Sequence, residues 1–166
     1  MEKIKRLLKH AFVPGWLARR SFTPALLGRI EAAIRESERT HQAELRFVVE
    51  GDLDIRHVWR GGSARDRAIE LFSQLRVWDT AHNSGVLIYT QCVDRHIEIV
   101  ADRGIAAKVA QSEWDTICRR MEAAFRAGRY EEGALQGIRD IGALLAAHFP
   151  ASGANVDELP DRPVIL

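Results

Sequence analysis

Gly85-Val86-Leu87-Ile88-Tyr89-Thr90-Gln91 and His96-Ile97-Glu98-Ile99-Val100-Ala101 are two β-rich runs separated by a few residues centred on Asp94 and Arg95. Branched and aromatic residues fill both runs, and the short polar break between them is turn chemistry, so the pair predicts an antiparallel hairpin. Upstream, Leu45, Phe47, Val48 and Val49 make a third run over Glu44–Glu50, closed by Gly51 and Asp52. A helical pattern carrying Ala68, Ile69, Phe72 and Leu75 lies between this strand and the hairpin. Gly61-Gly62-Ser63 precedes it, with Ser63 and Asp66 spaced as a capping box that starts the helix near Ala64. A strand, a helix and a second strand suit a parallel right-handed crossover. The expected fold class is therefore α/β: a three-layer α/β/α arrangement whose small mixed sheet contains one antiparallel hairpin, with helices on both faces.

Thr23 followed by Pro24 reads as an N-cap with proline at the first helical position, opening a helix that runs to about His41. Its buried stripe is expected to be Leu26, Leu27, Ile30, Ala33 and Ile34, with Glu31 and Arg35 paired four apart outside. Beyond the hairpin, Trp114, Ile117, Cys118, Met121 and Phe125 follow the 3.6 period to a terminating Gly128. A last helix carries Leu135, Ile138, Ile141 and Leu145, and Gly133 and Gly137 would allow a neighbouring backbone to approach. Trp59, Trp78 and Trp114 are expected to be core anchors, Trp59 in an irregular segment. The chain divides into a basic amphipathic segment (1–20), a domain (21–149) and an extended tail (150–166) containing Pro160 and Pro163.

A chain of 166 residues, 46% hydrophobic and 28% charged, suits one domain that buries roughly 70% of its unfolded surface. The net charge of +1 conceals an asymmetry: residues 1–20 hold six Lys or Arg against Glu2 alone, a net of +5 that leaves −4 to the rest. No global charge bias points to nucleic acid. Cys92 and Cys118 are the only cysteines and have no metal-ligand spacing, which suits a reducing compartment. No run is long enough to span a bilayer, and no signal region is apparent. The expected location is cytoplasmic, peripheral to the inner membrane.

Four stretches in order resemble the TPM domain. Asn83-Ser84-Gly85-Val86-Leu87-Ile88 looks like that family's entry into a buried strand, and Asp94-Arg95-His96-Ile97-Glu98-Ile99 like its hairpin turn and returning strand. Arg103-Gly104-Ile105 looks like its glycine-containing turn into a helix, and Phe125 to Gly133 like its spacing of an aromatic, a glycine, a tyrosine and a second glycine. Asp102 stands where many relatives have glycine. The resemblance implies a three-layer α/β/α fold and a non-enzymatic binding or accessory module acting with a membrane protein or complex. Because some relatives are described as divalent-cation binders or phosphatases, it also implies Ca²⁺ or Mg²⁺ as a ligand. The alternative it offers is a divalent-cation-dependent phosphatase.

In an antiparallel hairpin the start of one strand lies beside the end of the other, so Asp79 and Asn83 are expected near Asp102 and Arg103. Two carboxylates and an amide oxygen are hard ligands suited to Ca²⁺ or Mg²⁺. The competing reading makes Asp79 and Asn83 turn residues and Asp102 a helix cap. Arg103 beside a helix N-terminus is the candidate anion contact. At the other end, Glu50, Asp52 and Asp54 follow a strand without the residues a phosphoryl-accepting aspartate needs around it, and read as a solvated turn. Gly61-Gly62-Ser63 lacks a Walker lysine, and the histidines lack zinc spacing. Ile4, Leu7, Leu8, Ala11 and Phe12 form an apolar stripe flanked by Lys3, Lys5, Arg6 and Lys9. These four cations are the candidate contacts to an anionic membrane surface or protein partner, against packing of the stripe onto the domain itself.

Overall fold

The computed structural model describes Leu8, Phe12, residues 15–152 and residues 157–166. Lys3, Lys5, Arg6 and Lys9 lie outside the described residues. In chain order the elements are α1 (Gly15–Arg19), α2 (Pro24–Glu38), β1 (Glu44–Glu50), α3 (Ile55–Trp59), α4 (Ala64–Gln74), β2 (Gly85–Gln91), β3 (His96–Ala101), α5 (Arg103–Ala106), α6 (Gln111–Arg126), α7 (Tyr130–His148) and β4 (Val164–Ile165).

The three long strands have the predicted boundaries. β1 and β2 run parallel from Glu44 opposite Gly85 to Glu50 opposite Gln91, and β3 returns antiparallel beside β2 with Val86 opposite Ala101. β4 adds two residues to the free edge of β1, Val164 opposite Val48 and Ile165 opposite Val49, giving the order β3-β2-β1-β4. The end of the expected tail is thus part of the sheet.

Alternation along the strands sends side chains into two cores. Leu45, Phe47, Val49, Val86, Ile88, Ile97 and Ile99 face one layer, where α2, α6 and α7 supply Ile30, Ile34, Trp114, Met121, Phe125, Ile138 and Leu145. Val48, Leu87, Tyr89 and Val100 face the other, against Ala64, Ala68 and Leu71 of α4. The result is an α/β/α arrangement around a small mixed sheet.

Local chemistry sets the helix ends as the spacing predicted. Thr23 Oγ1 accepts from Leu26 N at 3.2 Å ahead of Pro24, and the Ser63–Asp66 capping box is complete. Gly128 ends α6 with φ +77. Glu31 and Arg35 pair at 3.2 Å. Gly133 and Gly137 make room for Phe125 and Met121 side chains of α6 rather than for backbone.

Three apolar expectations are corrected. Trp114 is buried, but Trp59 is 69% exposed and Trp78 48% exposed. Trp59 ends the one-turn helix α3, and the sheet face on the α4 side is filled by Ala64, Ala68 and Leu71. Trp78 lies beneath the Arg76 guanidinium, 5.7 Å from the ring centre. Ile69 is half exposed, because the capping box sets a phase in which Ala64, Ala68 and Leu71 face inward.

His96 ties the hairpin to α6: Nε2 lies 2.9 Å from Glu98 Oε1, and Nδ1 lies 2.6 Å from Glu122 Oε1, which also accepts Ile97 N. The hydrogen bond to Glu98, followed by the Glu122 charge, holds the imidazole above the ordinary histidine range. A raised folded pKa makes this pairing fully stabilising below the unfolded value near ~6.5, and the contribution fades as pH climbs through the folded value. His96→Gln is expected to lose less than about 1 kcal/mol at pH 6 and to match the parent at pH 9, because the side chain is partly solvated. Urea melts at both pH values check this; a gap that widens with pH contradicts it. Gly85→Ala drives a Cβ into Val77 O, in the backbone rather than in a flexible side chain. An overpacking loss of about 1–3 kcal/mol is expected in the same melts, and an unchanged midpoint contradicts the packing.

Candidate functional site

The register of the sheet places two groups of polar side chains near the amino ends of β1 and β2. In the first, Arg103 Nε donates to Asn83 Oδ1 at 2.9 Å and Gly104 N to Asn83 O at 3.1 Å. Asn83 sits at φ +52, in the left-handed region that asparagine tolerates. Asp102 N donates to Gly85 O, and Asp102 Oδ1 accepts from Arg103 N at 2.7 Å, capping α5, while its buried Oδ2 has no hydrogen-bond partner. Asp79 is exposed and pairs with Arg76 at 2.6 Å. Asn83, Asp102 and Arg103 are therefore neighbours, and the amide oxygen offered to a cation is in contact with a guanidinium.

The second group is one that sequence reasoning missed. Glu38 ends α2, Glu44 begins β1, and Asp157 and Asp161 lie on the segment leading to β4; with Arg35, Arg39 and Ala151 they line a cavity of about 330 Å³. One carboxylate oxygen each from Glu38, Glu44 and Asp157 lie within 4.8 Å of one another. Such a cluster of acidic residues is capable of coordinating a divalent cation. Glu38 Oε1 accepts Leu45 N at 2.7 Å, and Glu44 Oε2 accepts Glu158 N and Leu159 N, each at 3.1 Å. Asp161 Oδ2 receives Arg35 Nε at 3.0 Å, and its buried Oδ1 has no hydrogen-bond partner. Burial pushes the Glu38 carboxyl up to about 9, with Glu44 and Asp161 adding in the same direction and the Leu45 N–H opposing. Burial also raises Glu44 and Asp157. One signal was present in the sequence: Leu26, Ile30 and Ile34 are followed four residues later by Glu38, which puts a carboxylate on the buried stripe.

With this geometry in place, the comparison with known families is decisive, for residues 19–144 match the TPM domain. The chain belongs to the TPM domain family. It is similar to the BA42 protein of the psychrophilic bacterium Bizionia argentinensis, at 29% identity and a TM-score of 0.74, over 87% of this chain and 94% of that one. It is also similar in fold to the N-terminal domain of a protein from P. gingivalis, at 20% identity and a TM-score of 0.58, over 84% of this chain and 92% of that one. No curated protein matches the chain. Among the described residues, no helix of this TPM domain is long and apolar enough to cross a membrane. The acidic cavity straddles the matched stretch: Glu38 and Glu44 lie within it, Asp157 and Asp161 beyond it.

At the carboxyl end of β1 the TPM domain has a larger cavity, about 660 Å³, lined among others by Glu50, Asp54, His57, Arg60, Gly62 and Arg67. Glu50 is gripped there by Arg67, at 2.7 Å from Nη2, and by the buried Tyr89 hydroxyl. Gly62 gives the His57 ring its space, and Ser63 is occupied as the cap of α4. Burial pushes the Cys92 and Cys118 thiols up to about 12, which disfavours the reactive thiolate at both. Glu44 is one of the side chains that hold the C-terminal segment, through Glu158 N and Leu159 N. Glu44→Ala would leave two N–H groups without their acceptor, at a cost of about 2 kcal/mol. Hydrogen exchange should quicken in residues 157–166 of that variant, and unchanged exchange there contradicts the assignment.

Proposed function

We propose that this chain is a non-enzymatic TPM accessory module that binds a divalent cation, Ca²⁺ or Mg²⁺, and works at an anionic membrane surface beside a membrane protein. One observation carries the membrane part: Leu8, Phe12 and Trp16, spaced four apart, are all exposed, Phe12 at 78% and Trp16 at 65%. A stripe packed onto its own domain would be covered. Leu8 and Phe12 are helical, and Trp16 lies in the first turn of α1. The flanking Lys3, Lys5, Arg6 and Lys9 supply the cations that draw such an apolar stripe to anionic headgroups, at about 1 kcal/mol per charge.

Two places compete for the cation. The loop group of Asp79, Asn83 and Asp102 is the one the hairpin geometry suggests, with Arg103 as a neighbouring anion contact. Yet a guanidinium on Asn83 and a second one on Asp79 weaken that group as a cation cage. The acidic cavity has more carboxylate oxygens, with Arg35 and Arg39 also in its lining.

Sedimentation with phosphatidylglycerol-containing vesicles tests the membrane reading. The parent chain is expected to pellet in low salt and to be released by salt, with several-fold less pelleting for the Leu8→Ser/Phe12→Ser/Trp16→Ser variant. Equal pelleting of parent and variant, or equal binding to neutral phosphatidylcholine vesicles, would sink it. Cation-dependent hydrolysis of para-nitrophenyl phosphate that disappears in Asp102→Ala would instead favour the phosphatase alternative.

A further inference from the structure

We infer that the molecule meets an anionic bilayer end-on, through the carboxyl ends of β1 and β2, with Trp59, Arg60 and Arg95 as a second lipid contact beside the Leu8, Phe12 and Trp16 stripe. The inference rests on the membrane part of the proposed function and adds to it an orientation and three residues outside the N-terminal segment.

Backbone contacts fix the stripe to one end of the sheet. Gly15, which starts α1, packs on Gly51 and Asp52, the two residues that follow β1, so closely that a Cβ at Gly51 would collide with Gly15 O. One turn further on, Arg19 Nη1 donates to Leu166 O at 2.8 Å, and Gly51 N donates to the same oxygen at 3.2 Å. The exposed Trp16 is therefore held next to the carboxyl end of β1.

The same end collects further exposed apolar and cationic groups. α3 follows β1 after four residues, and Arg60, just beyond it, lines a cavity together with Glu50, the last residue of β1. Trp59 precedes it and is the more exposed of the two tryptophans that lie outside both the core and the N-terminal stripe. In the hairpin turn, Val93 N donates to Gly51 O at 3.3 Å, and two residues later the exposed Arg95 sits at φ +54. Among the described residues neither Arg60 nor Arg95 forms an ion pair. An indole combines an apolar body with a polar N–H, and a free guanidinium matches phosphate, so a tryptophan beside an arginine suits the boundary between headgroups and acyl chains. Asp52, Asp54 and Asp94 lie at this end as well, and the net +5 of residues 1–20 outweighs them.

The opposite end has the wrong charge for this contact. Glu38, Glu44, Asp157 and Asp161 line its cavity, and anionic headgroups repel such a surface. Trp78 lies at that end, because the neighbouring Val77 packs its carbonyl against Gly85, the first residue of β2. Two exposed tryptophans at opposite ends of one sheet therefore report which end meets the lipid.

The test is tryptophan quenching by brominated lipid in phosphatidylglycerol vesicles, with pelleting measured on the same samples. Trp16→Phe/Trp78→Phe leaves Trp59 with the buried Trp114, and Trp16→Phe/Trp59→Phe leaves Trp78 with it. Emission of the bound chain is expected to be quenched in the first variant and unchanged in the second. Arg60→Glu/Arg95→Glu is expected to pellet several-fold less than the parent at low salt. Bound chain in which Trp59 is unquenched, or in which Trp78 is quenched as strongly, overturns the end-on contact and leaves the membrane reading standing. Equal pelleting of Arg60→Glu/Arg95→Glu and the parent also overturns the second contact. A parent chain that does not pellet overturns both the contact and the membrane reading.

Discussion

The parallel ladder between β1 and β2 is the constraint on which the rest of the molecule depends. Seven residues of each strand pair in register, and every residue of β2 is buried. A parallel pair needs a crossover, and α4 lies within that connection, so one face of the sheet is covered by the chain that joins the two strands. The other face is then left to α2, α6 and α7, with α7 packed against both of the others. The ladder also defines two chemically distinct ends. The amino ends of the strands gather Glu44, Asn83 and, through the hairpin register, Asp102; the carboxyl ends gather Glu50, Gln91 and the start of α4.

Buried carboxylates hold the seams between these layers. Glu50 joins β1 to Arg67 of α4 and to the Tyr89 hydroxyl of β2; Glu122 joins α6 to Ile97 and His96 of β3; Glu44 joins β1 to the backbone ahead of β4. A buried charge without such partners would oppose folding by several kcal/mol. At the cavity lined by Glu38, Glu44, Asp157 and Asp161 the carboxylates gather most closely, with oxygens of Glu38, Glu44 and Asp157 within 4.8 Å of one another.

Much of the fold was legible because its determinants are local. Branched runs bounded by Gly51-Asp52, Ser84 and Asp94-Arg95 delimit the three long strands, and Thr23-Pro24, Ser63 with Asp66, and Gly128 mark helix ends through backbone chemistry that operates within four residues. β4 was not legible, since two residues after Pro163 have no periodicity and their pairing depends on Glu44 and Arg46, more than a hundred positions away. Trp59 and Trp78 misled for a related reason: size favours burial, but the room available in a core is a tertiary property. The hairpin correctly brought Asn83 beside Asp102 and Arg103, while the acidic cavity was assembled from α2, β1 and the chain end, a combination that no spacing rule encodes.

The proposed cation site at the amino end of the sheet brings Glu38 and Glu44 of the domain together with Asp157 of the C-terminal segment. Amide NMR of the full chain during substoichiometric addition of Mn²⁺ tests it most directly, because paramagnetic broadening reports distance from the ion. The account predicts that the amides of Leu45, Glu158 and Leu159, which donate to the Glu38 and Glu44 carboxylates, broaden first. Broadening centred instead on Asp79, Asn83 and Asp102, or spread without preference over the acidic surface, would contradict it.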